Sequence, residues 1–157
     1  MSRSRRSAKQ AGANFERVIS DVLKEHVSEF IDRKVRTGAK DQGDIANLRS
    51  AHDLRVTVEA KNYGGRFEVG TWLKEAEEER QNAGDDLGIV IAKRRGTTDP
   101  LDQVCFMDVR TLVALITGTP VKGDDLSIRH FCLPAWAILT HSLRGDRSHI
   151  LTQDGCQ

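Results

Sequence analysis

Only three of the 157 residues are cysteine, and Cys105, Cys132 and Cys156 include no C-x-x-C pair. Such an odd, scattered set supports neither a disulfide scaffold nor a zinc ribbon, and suits a reducing interior. The five histidines show no metal-ligand spacing. No uninterrupted apolar run approaches the roughly 18 residues of a membrane-spanning helix. The basic start from Met1 to Ala8 is followed by no apolar segment, so it does not read as a secretory signal. Internal repeats and a recognisable interdomain linker are missing too, and the length suits one domain that buries roughly two-thirds of its unfolded surface.

A net charge is also nearly lacking, at +1, but that average hides an asymmetry. Residues 1–66 carry fourteen Lys/Arg against nine Asp/Glu, whereas residues 67–92 carry two against seven. The field that a polyanion meets is local, so a neutral total does not exclude a nucleic-acid partner. The first third, at +5, is where phosphate contacts are expected.

Residues 1–11 show no apolar period and read as a mobile basic arm bearing Arg3, Arg5, Arg6 and Lys9. From Ala13 the pattern turns helical, with Phe15, Val18, Ile19, Val22 and Leu23 on one stripe and Asn14 or a residue just before it as cap. This helix should end near residues 27–29. Residues 30–37, 43–48 and 54–61 read as three strands, the last with Val56 and Val58 facing a core. A second helix is expected over 69–83, with Trp72, Leu73 and Ala76 inward and Glu75 and residues 77–80 mostly toward solvent. Residues 86–93 form a nearly continuous apolar run, as in a strand buried on both faces. A basic loop, a strand at 104–107 and a helix from an Asp108 cap to about Ile116 follow. A strand at 128–132, a short helix at 135–143 and a loose tail over 146–157 complete the expectation, with 12–145 as one domain. The order, roughly αβββαββα, indicates an α/β fold with a central mixed sheet flanked by helices.

The chemistry lies in charges placed on strands. Glu59 and Lys61 alternate with Ala60 and so share one face of the third strand. If that strand pairs with the one beginning at Asp44, two carboxylates and an ammonium group meet at one sheet end. Unpaired buried charge costs several kcal/mol per group, which a divalent cation offsets. Mg²⁺, with Mn²⁺ as a substitute, takes oxygen ligands and keeps waters, which suits two carboxylates and a phosphate. Lys61 would orient a water or stabilise charge on the phosphate. Asp41, the competing carboxylate, reads as loop.

Gly43-Asp44, a gap, then Glu59-Ala60-Lys61 resembles the signature of the PD-(D/E)XK nucleases, with their restriction-endonuclease-like core. Glu16, in Asn14-Phe-Glu-Arg17, is similar to the extra acidic residue on the first helix of many members. More narrowly, the layout over about residues 5–95 resembles the archaeal-type Holliday junction resolvases and their phage relatives. The resemblance implies that Asp44, Glu59 and the Ala60 carbonyl bind metal, that Lys61 positions the attacking water, and that Glu16 completes the acidic site. It matches Thr37 to a hydroxyl residue near the junction strand. Gly43 stands where the motif's name has Pro.

The resemblance therefore implies a Mg²⁺-dependent, structure-selective DNA endonuclease of recombination or repair. It would act as a homodimer on four-way junctions, in the cytoplasm of a bacterial or phage-infected cell. Arg36 and Lys40 flank the expected site, and Lys93, Arg94 and Arg95 follow a buried strand, so these join the basic arm as DNA-contact candidates. The alternatives are a duplex nicking, repair or restriction-type endonuclease, and a non-catalytic DNA-binding protein on the same fold. A regulatory protein with no nucleic-acid partner leaves the +5 first third unexplained. No zinc finger or clear helix-turn-helix is recognisable, which favours reading of shape and backbone over sequence.

Overall fold

The computed structural model describes residues 5–34 and 41–121. In chain order these form α1 (Arg5–His26), β1 (Asp32–Arg33), β2 (Ile45–Ala46), β3 (Val56–Lys61), α2 (Val69–Ala83), β4 (Leu87–Ala92), β5 (Val104–Phe106) and α3 (Val109–Thr117). A 3-10 turn at Pro100–Asp102 precedes β5. The five strands make one sheet in sequence order. Neighbours are antiparallel except β3 and β4, which run parallel from Val56↔Leu87 to Lys61↔Ala92. A parallel pair needs a crossover, and α2 supplies it. The result is an α/β fold with an open mixed sheet flanked by helices, compatible with a restriction-endonuclease-like core.

Side-chain alternation on β3 and β4 divides the interior in two. Val56, Val58, Leu87 and Ile89 face Phe15 and Ile19 of α1 and Ala114 of α3. Val90 and Ala92 face Trp72 and Ala76 of α2. By the same alternation Thr57, Glu59 and Lys61 lie on the α2 side, in the row that carries Val90 and Ala92 on the next strand. A glutamate and a lysine thus occupy positions that a strand buried on both faces normally fills with apolar residues.

Several expected boundaries hold closely: α2 spans the expected residues, and Asp108 caps α3 by accepting from the Thr111 N–H at 2.7 Å. Others need correction. Residues 5–11 are not an arm ahead of the first helix but its first turns, and Asn14 is not its cap. Asn14 sits mid-helix and accepts from the Gln10 amide at 2.9 Å. Ala, Lys, Gln and Arg are good helix formers, so the exposed residues 5–10 join α1 without contributing to an apolar stripe. Val18, expected on the buried stripe, is 42% exposed. The first strand shrinks to two exposed residues beside fully buried Ile31, and residues 35–40 lie outside the described residues.

One compact unit closes at Val121. The expected strand at 128–132, the helix at 135–143 and the tail over 146–157 lie outside the described residues, as does Arg3. Among the described residues no helix is long and apolar enough to cross a membrane.

Candidate metal centre and nucleic-acid cleft

Asp44 stands where the chain enters β2 from Gly43, whose φ is +87°. A Cβ built on Gly43 would lie 2.7 Å from Thr57 Cγ2 and 3.0 Å from the Val58 carbonyl oxygen. Proline, held near φ −65°, has no access to this backbone shape, and any side chain would collide with β3. Glycine at residue 43 therefore has a local cause: β3 approaches too closely for a side chain. The approach fixes Asp44, whose N–H donates to the Val58 carbonyl at 2.8 Å and whose carbonyl accepts from the Lys34 N–H at 2.7 Å. Its Oδ2 accepts from the Ala60 N–H at 2.9 Å.

That last bond also orients the Ala60 carbonyl. Backbone groups of successive strand residues point to opposite edges. The Lys61 carbonyl is taken by the Lys93 N–H on the β4 side, at 2.8 Å. Ala60 is thereby turned the other way, toward Asp44. Two carboxylates and one carbonyl, all hard oxygen donors, converge at this sheet end.

Glu59 is 7% exposed. Its Oε1 accepts from Lys61 Nζ at 2.5 Å, while its Oε2 is buried with no hydrogen-bond donor among the described residues. Lys61 Nζ also pairs with Glu75 Oε2 of α2 at 2.7 Å. One turn further on, Glu79 is equally buried, and its Oε2 likewise meets no donor among the described residues. The Glu59 and Glu79 carboxyls face each other, a contact that becomes a hydrogen bond only when one holds a proton.

The electrostatics follow. Burial, then the Glu59 charge, pushes the Asp44 pKa up to about 7, against the pull of the Ala60 N–H, with Glu16 adding to the rise. Burial likewise raises Glu59 to about 7, the Lys61 hydrogen bond opposing and Glu79 reinforcing. Burial also raises Glu79, with Asp41 and Asp44 nearby adding to the effect. For Lys61, burial works against the ammonium, but hydrogen bonds and charge from Glu59 and Glu75 outweigh it and hold the pKa above the ordinary lysine value. The centre is thus rich in carboxylates and short of cations.

This donor set fits a divalent cation. Among the described residues no three His, Cys, Asp or Glu side chains converge to enclose a metal by themselves. Asp44, Glu59 and the Ala60 carbonyl would hold one side of a Mg²⁺ and leave the rest of its shell to water and phosphate, as that ion prefers. Glu59 Oε2, buried and with no donor among the described residues, is the observation that fits a cation here most clearly.

Glu16, on α1, lines the same clefts as Asp44, and its Oε2 accepts from both Nε and Nη2 of Arg33, each at 2.7 Å. Its partner is β1 rather than a neighbour on its own helix. A cleft of about 570 Å³ runs past Glu16, Asp44, Glu59, Ala60 and Lys61 to Tyr63 and Arg66. A second, of about 770 Å³, shares Glu16 and Asp44 and continues along α1 and β1 past Lys9, Arg17, Arg33 and Lys34.

Of the basic candidates, Arg5, Arg6 and Lys9 are exposed on the first turns of α1, and Lys9 reaches the cleft. Lys93, Arg94 and Arg95 follow β4 at the sheet end that carries Lys61. Two of these have local partners: Lys93 Nζ donates to the Thr97 carbonyl at 2.8 Å and Arg95 Nε to the Gly64 carbonyl at 2.6 Å. Arg36, Thr37 and Lys40 lie outside the described residues.

Glu79, expected at the solvent side of α2, is corrected to a buried neighbour of this centre, whereas Glu75 stays partly exposed, as expected, while pairing with Lys61. Trp72, Ala76 and Glu79 fall at i, i+4 and i+7, all buried, so Glu79 continues the apolar stripe. That spacing was the available signal. Compared with family models, curated proteins and solved structures, the chain matches none.

Proposed function

We propose that this protein is a Mg²⁺-dependent endodeoxyribonuclease that hydrolyses phosphodiesters in branched DNA, four-way junctions foremost. It acts as a homodimer, because two strands of a two-fold junction must be cut together. Cytoplasm is the expected setting. The observation that carries the reading is the meeting of Asp44, Glu59, the Ala60 carbonyl and Lys61 at one sheet end, on a cleft shared with Glu16. The likeness of Asp44…Glu59-Ala60-Lys61 to the PD-(D/E)XK signature supports it.

A divalent cation bound to these oxygens supplies positive charge for the phosphate oxygens and lowers the pKa of a nearby water. The chain does the rest. Asp44, pinned by the Ala60 N–H, and Glu59, pinned by Lys61, present their oxygens from two strands whose spacing the sheet fixes. Lys61, steadied from the far side by Glu75, holds the attacking water or a phosphate oxygen through its N–H groups. A water oxygen–phosphorus bond forms as the in-line bridging P–O bond breaks, and overall one water proton passes to the leaving oxygen. Lys9, Arg17 and Lys34 lie where the flanking phosphates pass.

The test incubates a labelled immobile four-way junction and a matched linear duplex with the protein, each with Mg²⁺ and with EDTA. Paired cuts confined to the junction, lost with EDTA and in Lys61→Ala, are expected. Equal cutting of both substrates leaves a duplex nuclease. Binding of both with no cutting leaves a DNA-binding protein and overturns the enzymatic reading.

A further inference from the structure

The chain's one tyrosine stands two residues beyond Lys61, at the mouth of the centre. Tyr63 is 49% exposed, yet it is not loose. Its ring rests on Trp72, with centroids 5.4 Å apart and planes inclined by 37°, and Trp72 is itself buried in the α2 side of the core. Phe67 meets the same indole edge-on at 6.3 Å and passes the contact to Phe106 at 5.2 Å.

The backbone that carries Tyr63 is held from both sides. Asn62 Nδ2 donates to the Ala11 carbonyl of α1 at 3.0 Å, and Arg95 Nε donates to the Gly64 carbonyl. Gly65, at φ +79°, lets Arg95 lie across the turn, since a Cβ there would fall 2.1 Å from Arg95 Cγ. A residue needed only to cover Trp72 would be served by any apolar side chain. Here a flat, polarisable ring is fixed in place beside Arg66, on the cleft that holds Asp44, Glu59 and Lys61.

We infer that Tyr63, with Arg66 beside it, is a stacking site for one unpaired nucleobase next to the phosphate that is cut. The inference rests on the nucleic-acid reading above and adds the source of its structural selectivity. A base inside a duplex is stacked on both sides and paired, whereas a base at a branch point has its stacking interrupted and costs less to unpair, so this ring favours DNA that can release a base at the cut. The guanidinium of Arg66 adds charge for the adjoining phosphate without reading sequence. Tyr63 is on this account a specificity-determining residue for branched over linear DNA and does not take part in bond breaking.

The probe is a four-way junction carrying 2-aminopurine at positions flanking the branch, with a linear duplex carrying the same base as comparison. Both are titrated with full-length protein in Mg²⁺, in the Lys61→Ala background so that the DNA stays whole. A change in 2-aminopurine emission on binding the junction, absent with the duplex, is expected. Tyr63→Leu should remove that change and weaken junction binding roughly ten- to a hundredfold while leaving duplex binding unaltered; Tyr63→Trp should retain both. Should Tyr63→Leu expose Trp72 and unfold, Tyr63→Met keeps the indole covered without a ring and must give the same result. No emission change with the Tyr63-intact protein, or equal junction affinity in the ringless variants, overturns this inference alone. Failure of that protein to bind either DNA overturns the nucleic-acid reading beneath it.

Discussion

Glu59 from the sheet and Glu79 from the helix packed on it meet in the interior, and neither Oε2 has a hydrogen-bond donor among the described residues. Lys61 supplies one ammonium to this neighbourhood and divides it between Glu59 and Glu75. Buried carboxylates in this arrangement are tolerable only when a proton or a cation stands between them.

Glu79→Gln gives the Glu59 carboxylate an amide donor at the same place and removes one negative charge. Stability at pH 8 without divalent ions should rise by about 1–2 kcal/mol, read from urea unfolding. Loss of stability of that size would mean that Glu79 already has a partner.

The raised Asp44 and Glu59 pKa values predict a particular pH dependence. Both move from ordinary carboxylate values to about 7, so between roughly pH 4 and 7 the folded state holds protons that the unfolded state has released. The contribution is fully present below the unfolded pKa and is lost as pH rises through 7, opposite in sign to a salt-bridged carboxylate. Asp44→Asn should therefore gain about 1–3 kcal/mol relative to the wild-type chain between pH 5 and pH 8. Millimolar Mg²⁺ should stabilise the wild-type chain at pH 8 and have little effect at pH 5. Urea unfolding at the two pH values, with and without Mg²⁺, reads both effects; a pH-independent difference contradicts the assignment.

Gly43→Ala should destabilise by about 2 kcal/mol or more, because the Cβ collides with Thr57 and Val58 at a positive φ. Gly43→Pro, which also needs a φ of about −65°, should be worse. Thermal unfolding of the two variants checks this, and tolerance of proline would show that the approach of β3 is not what excludes it.

Glu16 and Arg33 pair at the cleft with partial exposure, so Glu16→Gln should change stability by less than about 1 kcal/mol. If Glu16 serves the acidic centre, junction cutting should nevertheless fall at least about tenfold, a loss that a surface ion pair alone does not explain. Urea unfolding and initial cutting rates, measured on the same preparation, separate the two roles.

How legible the molecule was in its sequence depended on the signal each part carried. Periodicity marks a buried face, so α2, β4 and the Asp108 cap of α3 stood out, and the early turns of α1, which bury nothing, did not. Asp44, Glu59 and Lys61 were conspicuous as charges on apolar strands. Glu79 was hidden inside the acidic run Glu77-Glu78-Glu79, which reads as a solvated face until the i, i+4, i+7 relation to Trp72 and Ala76 is counted. Tyr63 depends on long-range packing against Trp72 and on the Arg95 clasp, neither of which leaves a local pattern.

On the proposed function, Asp44 and Glu59 hold a divalent cation beside Lys61. Calorimetric titration of Mn²⁺ into the wild-type chain and Asp44→Asn, at pH 7 in two buffers of different ionisation heat, tests it most directly. The expected result is one or more bound ions with release of up to about one proton per ion, because the receiving carboxyls titrate near that pH, and loss of this binding in Asp44→Asn. Binding that Asp44→Asn leaves unchanged, or no binding to the wild-type chain, would contradict it.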